Sequence, residues 1–377
     1  MTQNTGNLVL LTHEFSPFRG GVAVYCEELA AALPRAGKPV HVWCGGLAPD
    51  PPGDKFGFPV TRLVPGASLR AGAVTAFARE IFRRRAALDG ADVLLASVGA
   101  HWAWMIATTL RPVRCRSITS LLYGSEVLKF ERSPFWKFMA RRFYRRVDHV
   151  LAISEFTRSL IQQGFLGPEV ESIGLAPCAC SSAAARPVTV RPVEDGRTRV
   201  LTLARVHPRK GQLDVARALA LLPAEWRSRV VYQLGGAGDE RYLDEVRRTC
   251  RSAGIGCEVL GPISPESLAA TYAQCDLYAM TSRTLAASVE GFGITYLEAG
   301  FHGKPVLGYR SGGAAEAVVD GETGLLVDEG DLPSLAQACQ RLIADPALRR
   351  TLGEKGRQHA ARFSWDATAR VVMEMVG

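Results

Sequence analysis

The sequence predicts an α/β protein made of two doubly wound domains, and three observations carry that prediction. The chain has 377 residues, too long for one ordinary domain and enough for two. Short apolar runs alternate with helix-spaced segments from end to end, the pattern of parallel strands joined by helical crossovers. The stretch 178–199 interrupts the alternation with Ala, Ser, Pro and Arg and little periodicity, which is the composition of a boundary. The expected division is a first domain over 1–180, a linker over 181–198 and a second domain over 199–362, with a terminal helix over 363–377 packing back on the first.

The elements follow in order. Residues 7–12 are apolar and too short for a helix, so they read as a buried first strand. A loop with Pro17 and Gly20-Gly21 comes next, and 22–33 carries apolar residues at helical spacing. Further strands are expected at 39–43, 92–96, 117–122 and 149–153. After the boundary they resume at 200–204, 230–234, 258–260, 276–280, 305–309 and 324–327, with helices between. Such sheets bind ligands beyond the carboxyl ends of their strands, which predicts a site in the cleft between the two halves.

Composition excludes several classes. A 47% hydrophobic and 22% charged chain without low-complexity tracts is neither disordered nor collagen-like. No apolar run nears the roughly 18 residues that span a bilayer, and the opening MTQNTGNLVLLTHEF lacks the marks of a secretory signal. Nine scattered cysteines show no zinc or redox spacing, so reduced, mostly buried thiols in a cytoplasmic protein are expected. Net charge is +8, and residues 1–182 hold 21 Lys and Arg against 14 Asp and Glu, whereas the remainder is nearly balanced. The densest stretch, 129–146, has seven basic, one acidic and six aromatic residues. It suits an anionic membrane surface, or a solvated helix face whose aromatics enter the core. A nucleic-acid partner is not expected.

Four segments place anion-binding or polar groups just after a strand. In Ser16-Pro-Phe-Arg-Gly-Gly-Val22, two glycines at a helix start let backbone N–H groups approach a phosphate; a turn that needs positive φ is the alternative. In Ala204-Arg-Val-His-Pro-Arg-Lys-Gly211, Arg205 and Lys210 can clamp a diphosphate, while His207 and Arg209 read as loop residues. In Glu290-Gly-Phe-Gly-Ile-Thr-Tyr-Leu-Glu-Ala-Gly300, Glu290 precedes a Gly-X-Gly turn, and a helix beginning near Ile294 carries Glu298, which can accept from vicinal hydroxyls such as those of a ribose. In the fourth, Gly312-Gly313 opens a short helix before the turn Gly321-Glu-Thr-Gly324. A plain structural turn is the alternative for each taken alone.

Together these segments resemble the retaining glycosyltransferases of family four, which have the GT-B fold of two Rossmann-like domains facing across a cleft. The resemblance covers nearly the whole chain. Its strongest element is the Glu-X7-Glu pair Glu290 and Glu298 within E-G-F-G-x-x-x-L-E-A. Pro17 to Gly21, Ala152-Ile-Ser-Glu-Phe-Thr157, Arg205 with Lys210-Gly211, and Gly312 to Glu316 also match. The resemblance implies transfer of a sugar from a nucleotide-diphosphate sugar to an acceptor hydroxyl or other nucleophile, with retention and without a metal. Arg205 and Lys210 would hold the diphosphate, Glu290 would meet donor-sugar hydroxyls, and Glu298 the ribose. Gly20 and Gly21 would let the loop approach the diphosphate, and backbone amides of Phe292, Gly293, Ile294 and Thr295 would complete the cradle.

One departure stands out. Many relatives carry His-Gly-Ser/Thr-Asp/Glu where this chain has Tyr123-Gly-Ser-Glu126, so Tyr123 replaces the histidine. A phenol hydrogen-bonds a sugar but does not titrate near neutrality. His101 and Glu126 are further candidates for acceptor or sugar contacts, and a structural histidine is the alternative for His101. Two other readings share the fold: a nucleotide-sugar epimerase or hydrolase, and a non-catalytic nucleotide-sugar-binding protein. The acceptor is a sugar, a lipid-linked molecule or a small molecule, and a lipid-linked one would place the protein peripherally on the inner membrane face through 129–146.

Overall fold

The computed structural model describes residues 8–18, 20–46, 56–66, 68–110, 112–190 and 195–376. They form two compact units, one of residues up to Cys178 with Ser364–Gly377, the other Ala179–Phe363.

The first unit is built on β1 (Leu8–Thr12), β2 (Val40–Gly45), β3 (Val60–Val64), β4 (Asp92–Leu95), β5 (Ser117–Leu122), β6 (His149–Ala152) and β7 (Ile173–Leu175). They pair in parallel in the order β3-β2-β1-β4-β5-β6-β7. β1 is LVLLT with every residue buried, the continuous apolar run of a central parallel strand. Val9, Leu11 and Trp43 of the sheet share a core with Phe77 and Ile81 of the helix Ala71–Arg83 and Trp104 of Val98–Leu110. The terminal helix Trp365–Val376 packs in this unit: Trp365 meets Tyr25 edge-on at 5.0 Å, and the Thr368 hydroxyl donates to the Pro177 carbonyl at 2.7 Å.

The second unit contains β8 (Thr198–Leu203), β9 (Val230–Gly235), β10 (Gly256–Gly261), β11 (Leu277–Met280), β12 (Val306–Tyr309) and β13 (Gly324–Val327). These are also parallel, in the order β10-β9-β8-β11-β12-β13. Its core joins Val200, Tyr232, Leu277 and Leu307 to Leu219, Val246 and Leu335 of the covering helices.

Three differences from expectation have local causes. The basic, aromatic stretch is two helices, Ser125–Glu131 and Pro134–Tyr144. Ser133 starts the second by accepting from the Trp136 N–H at 3.4 Å, and Pro134 takes the first helical turn, where a missing N–H costs nothing. Strands β3 and β7 were not expected; both lie at sheet edges and are half-buried rather than continuously apolar. The expected linker is no free tether at its start, since Ser181 is 2% exposed, Ala184 is fully buried, and the Ala184 carbonyl meets His302 Nε2 at 2.8 Å. All nine cysteines are free thiols, six of them buried. Among the described residues no helix is long and apolar enough to cross a membrane.

Candidate active site

In the second unit the connections run one way from β8 to β9 and β10, and the other way from β11 to β12 and β13. Strand order reverses between β8 and β11, and at such a switch point the loops part and leave room for a ligand. Beyond β8 comes a single 3-10 turn, Pro208–Lys210, opened by His207, whose Nδ1 accepts from the Arg209 N–H at 3.1 Å. Gly211 follows at φ +71° and begins the helix Gln212–Ala220. A Cβ on Gly211 would lie 2.0 Å from the Thr281 carbonyl oxygen, so only glycine lets this loop lie against the end of β11. The Thr281 hydroxyl closes the contact by donating to the Gly211 carbonyl at 2.8 Å.

That contact brings charges together. Glu290 Oε2 accepts from Lys210 Nζ at 2.5 Å, from Ser282 Oγ at 2.8 Å and from an Arg209 guanidinium nitrogen at 3.2 Å. The side chains of Lys210, Arg209 and Glu290 are 15%, 11% and 11% exposed. Burial opposes charge on Glu290, but Lys210 and Arg209, with hydrogen bonds from Lys210 and Ser282, outweigh it and bring its carboxyl down to about 2. Lys210 is pulled below the ordinary lysine value, by burial first and then by Arg209 and Arg205 against the attraction of Glu290. Arg205 itself is exposed. Two cations on one carboxylate, with Arg205 close enough to act on Lys210, make a place short of negative charge.

The turn that carries Glu290 rests on the fourth sequence segment. The Gly313 N–H donates to the Glu290 carbonyl at 2.8 Å. A Cβ on Gly312, which has φ +55°, would lie 2.1 Å from that same oxygen, and one on Gly313 2.1 Å from the Gly291 carbonyl. Ser311 Oγ donates to the Ser282 carbonyl at 2.5 Å, fixing the residue that bonds Glu290. The pair Gly312-Gly313 is therefore a support for the Glu290 turn. Gly293, at φ +95°, leads into the helix Ile294–Phe301, which has neither a side-chain cap nor an acid in its first turn. Phe292 turns inward against Phe363 at 5.5 Å, so at this turn the backbone, not the Phe292 ring, is what Phe292 and Gly293 offer a ligand. Ile294 and Thr295 are half-buried at the helix start, where the first N–H groups have no intrahelical partner. Glu298 is 4% exposed and accepts from Ser181 Oγ at 2.5 Å and Tyr272 Oη at 2.7 Å.

The corresponding switch point of the first unit lies between β1 and β4. Gly20 and Gly21 begin the helix Gly21–Arg35 there, and the positive-φ alternative does not hold: Gly20 is extended at φ −176° and Gly21 is not among the left-handed glycines. A Cβ on Gly21 would meet nothing within 4 Å. The fold leaves open space there. Beneath it His13, Ser97 and His101 lie against one another. Ser97 Oγ accepts from the His13 and Ala100 N–H groups, so its hydroxyl donates to His13 Nδ1 at 2.7 Å. His13 Nε2 then carries the proton and faces Glu14 at 3.3 Å.

His101, Tyr123 and Glu126 are corrected by this packing. His101 is fully buried; its Nδ1 must donate to the Ser97 carbonyl at 2.7 Å, leaving Nε2 to accept from Ser120 Oγ at 2.7 Å, which Tyr144 bonds in turn at 2.9 Å. Burial lowers its pKa to about 4, so it is a neutral core histidine and not an acceptor contact. The Tyr123 hydroxyl turns against Cys26 Sγ at 3.7 Å, and Glu126, 4% exposed, accepts from the Tyr123 N–H at 3.0 Å. Both hold the start of the helix Ser125–Glu131 rather than present groups to a sugar.

Sequence reasoning missed Arg209 and Ser282 as partners of Glu290, Ser181 and Tyr272 as partners of Glu298, and the His13–Ser97 pair. A signal existed for Ser282: Thr281-Ser282 is a polar pair directly after an apolar strand. Arg209 carried none, because its neighbour in sequence, Lys210, already fits the role. Among the described residues no group of three or more His, Cys, Asp or Glu is arranged to hold a metal ion.

Comparison with known proteins agrees with the fold. Residues 19–173 match the model described as Glycosyltransferase Family 4, and residues 189–359 match Glycosyl transferases group 1. The chain is 31% identical over 382 residues, 96% of each chain, to the GDP-mannose-dependent alpha-(1-6)-phosphatidylinositol monomannoside mannosyltransferase of Mycolicibacterium smegmatis. It is similar in structure to sucrose-phosphate synthase from Thermosynechococcus elongatus, with TM-score 0.79, 23% identity and 98% of each chain covered. It is also similar to Anabaena HepE solved in complex with UDP, with TM-score 0.74, 21% identity and 98% of each chain covered. With two parallel-sheet units of this topology, a cation-ringed Glu290 at the second switch point and family matches across both, the chain belongs to glycosyltransferase family four and is a nucleotide-sugar-dependent glycosyltransferase of the GT-B fold.

Proposed function

We propose that the protein transfers a hexose from a nucleotide-diphosphate sugar to a lipid-linked acceptor at a membrane surface, with retention and without a metal. The observation that carries this reading is the excess of cations at the second switch point. Arg209 and Lys210 both bond Glu290, and Arg205 adds positive charge felt by Lys210, so this place lacks negative charge. A diphosphate supplies it. As the bond from the anomeric carbon to the diphosphate breaks, charge grows on the leaving oxygen, and fixed cations stabilise it without a metal ion. The acceptor oxygen bonds the anomeric carbon on the same face and passes its proton to the leaving phosphate. Glu290, held ionised, accepts from donor-sugar hydroxyls, and the amides of 292–295 meet the phosphate or sugar. Glu298, which accepts from Ser181 and Tyr272, is the candidate contact for a ribose diol. In the first unit the open space at Gly21 admits a ligand to the amides of the helix start.

The M. smegmatis relative uses GDP-mannose and a phosphatidylinositol mannoside, and those chemical classes are the first to test here. Support for a membrane-bound acceptor comes from the helix Pro134–Tyr144. Phe135 and Phe138 are 61% and 65% exposed, flanked by exposed Arg141, Arg142, Arg145 and Arg146, while Phe143 and Tyr144 enter the core. Apolar rings among cations are what an anionic bilayer surface attracts.

A melting panel of nucleotide diphosphates and their sugars tests the donor. A ligand at a hundred times its Kd stabilises by about 2.7 kcal/mol, and the winning nucleotide should lose its effect in Lys210→Ala. No shift from any nucleotide would reject the proposal. Sedimentation with phosphatidylserine vesicles at low salt tests the membrane face, and Phe135→Ser/Phe138→Ser should abolish binding while leaving the nucleotide shift intact.

A further inference from the structure

Between the helices Val98–Leu110 and Pro134–Tyr144 of the first unit lies a cavity of about 130 Å³. Trp104, Met105, Val113, Ile118, Met139 and Phe143 line it, with Thr108 and Thr109. The two hydroxyls are occupied, donating to the carbonyls of Trp104 and Met105 at 2.9 and 2.7 Å. The space is half open to solvent and its walls are mostly apolar; for scale, an enclosed apolar cavity of about 150 Å³ takes a benzene ring. Two arginines complete the lining, Arg142 and Arg146. Both are exposed, which places them on the solvent side, and neither has a carboxylate partner among the described residues. Exposed Phe138 and Phe135 lie four and seven residues before Arg142, on the same face of that helix.

We propose that this cavity takes the end of an acyl chain from an anionic phospholipid, with the lipid phosphate held by Arg142 and Arg146. Hydrocarbon displaces water along the apolar walls, and the paired guanidiniums grip phosphate oxygens where the cavity opens. The occupant comes from a bilayer because the opening continues into the Phe135 and Phe138 face. In that respect the inference rests on the membrane reading above, although the cavity is tested without a bilayer.

The test titrates the full chain calorimetrically at low salt with octyl phosphate, octanoate, octyl glucoside and inorganic phosphate, the three amphiphiles below their micellar concentrations. Octyl phosphate should bind saturably at one site, octyl glucoside about tenfold more weakly, and inorganic phosphate not measurably at the same concentrations. Thr109→Phe, from an exposed position on the cavity wall, should abolish octyl phosphate binding. Arg142→Gln/Arg146→Gln, both on the surface, should weaken octyl phosphate about tenfold and leave octyl glucoside unchanged; this variant carries the test if Thr109→Phe does not fold. Absence of octyl phosphate binding to the unaltered chain overturns the proposal, as does binding indifferent to both variants. Octanoate binding without octyl phosphate binding assigns the cavity to free fatty acids and overturns the phospholipid. Vesicle sedimentation with Phe135→Ser/Phe138→Ser decides the membrane face separately, since that variant should keep octyl phosphate binding.

Discussion

The two units share a strand order around their switch points but not the chemistry placed there. In the second, β8 and β11 end beside one another and their loops bring Lys210, Arg209 and Ser282 onto Glu290. In the first, β1 and β4 end in a neutral network of His13, Ser97, His101, Ser120 and Tyr144 under an open helix start. The topology makes a space in both units. What fills the loops decides whether that space holds a diphosphate or a neutral ligand, which is why fold alone does not set function.

The sharpest way to break this comparison is Lys210→Ala. If the charged switch point is the catalytic one, kcat should fall by about 10² to 10³, measured by sugar transfer to any accepted acceptor. Vesicle binding should not change. Retained activity would move the chemistry away from β8 and β11.

Backbone geometry gives the next effect. Gly211→Ala forces a Cβ into the Thr281 carbonyl at a left-handed φ, so the second unit should lose about 2 to 4 kcal/mol in urea melts. The contrasting change in the first unit is Gly21→Ala. It meets open space at an ordinary φ and should leave folding within about 1 kcal/mol of the parent. Any fall in transfer rate from Gly21→Ala then reports ligand approach rather than lost structure.

The neutral network predicts its own pH dependence. His101 titrates at about 4 in the fold and 6.5 when unfolded, because burial disfavours its cation. Below pH 6.5 the unfolded chain therefore binds the extra proton, and stability falls as pH drops from 6.5 to 4. The contribution is about 3 kcal/mol, fully present above pH 6.5. Melts across that range should show it in the parent and lose it in His101→Asn. A stability independent of pH there would mean that His101 reaches solvent.

The smallest expected effect sharpens the role of Glu298. Ser181→Ala removes a hydroxyl donor from it and should cost about 1 kcal/mol or somewhat more. If a ribose shares this carboxylate, the variant should change nucleotide affinity as well as stability. A change in stability alone would leave Glu298 a fastening for the chain that enters the second unit.

Much of this was legible in residue order. The central strands of both sheets are short apolar runs because both faces are covered, and β5 and β13 fall at the expected residues. The edge strands β3 and β7 were not legible, since half-buried segments of five and three residues carry little hydrophobic pattern. Lys210 and Glu290 could be picked out because each follows a strand and is flanked by glycine. Arg209 could not, and Ser282 showed only as part of a polar pair after a strand, because their meeting at Glu290 depends on β8 lying next to β11, strands separated by two others in sequence. Tyr123 and His101 look like ligands in sequence, and only packing turns them inward.

By itself, then, the chain's order of residues determined two doubly wound units, the family and the charged candidates Lys210 and Glu290, since strand periodicity and glycine-flanked turns are local. The tertiary structure decided which of those side chains meet: the pairing of Arg209 and Ser282 with Glu290, the burial of His101, and the cavity under Arg142 and Arg146. Those outcomes depend on which strands and helices become neighbours, and that is set by the summed packing of the whole unit rather than by any one segment.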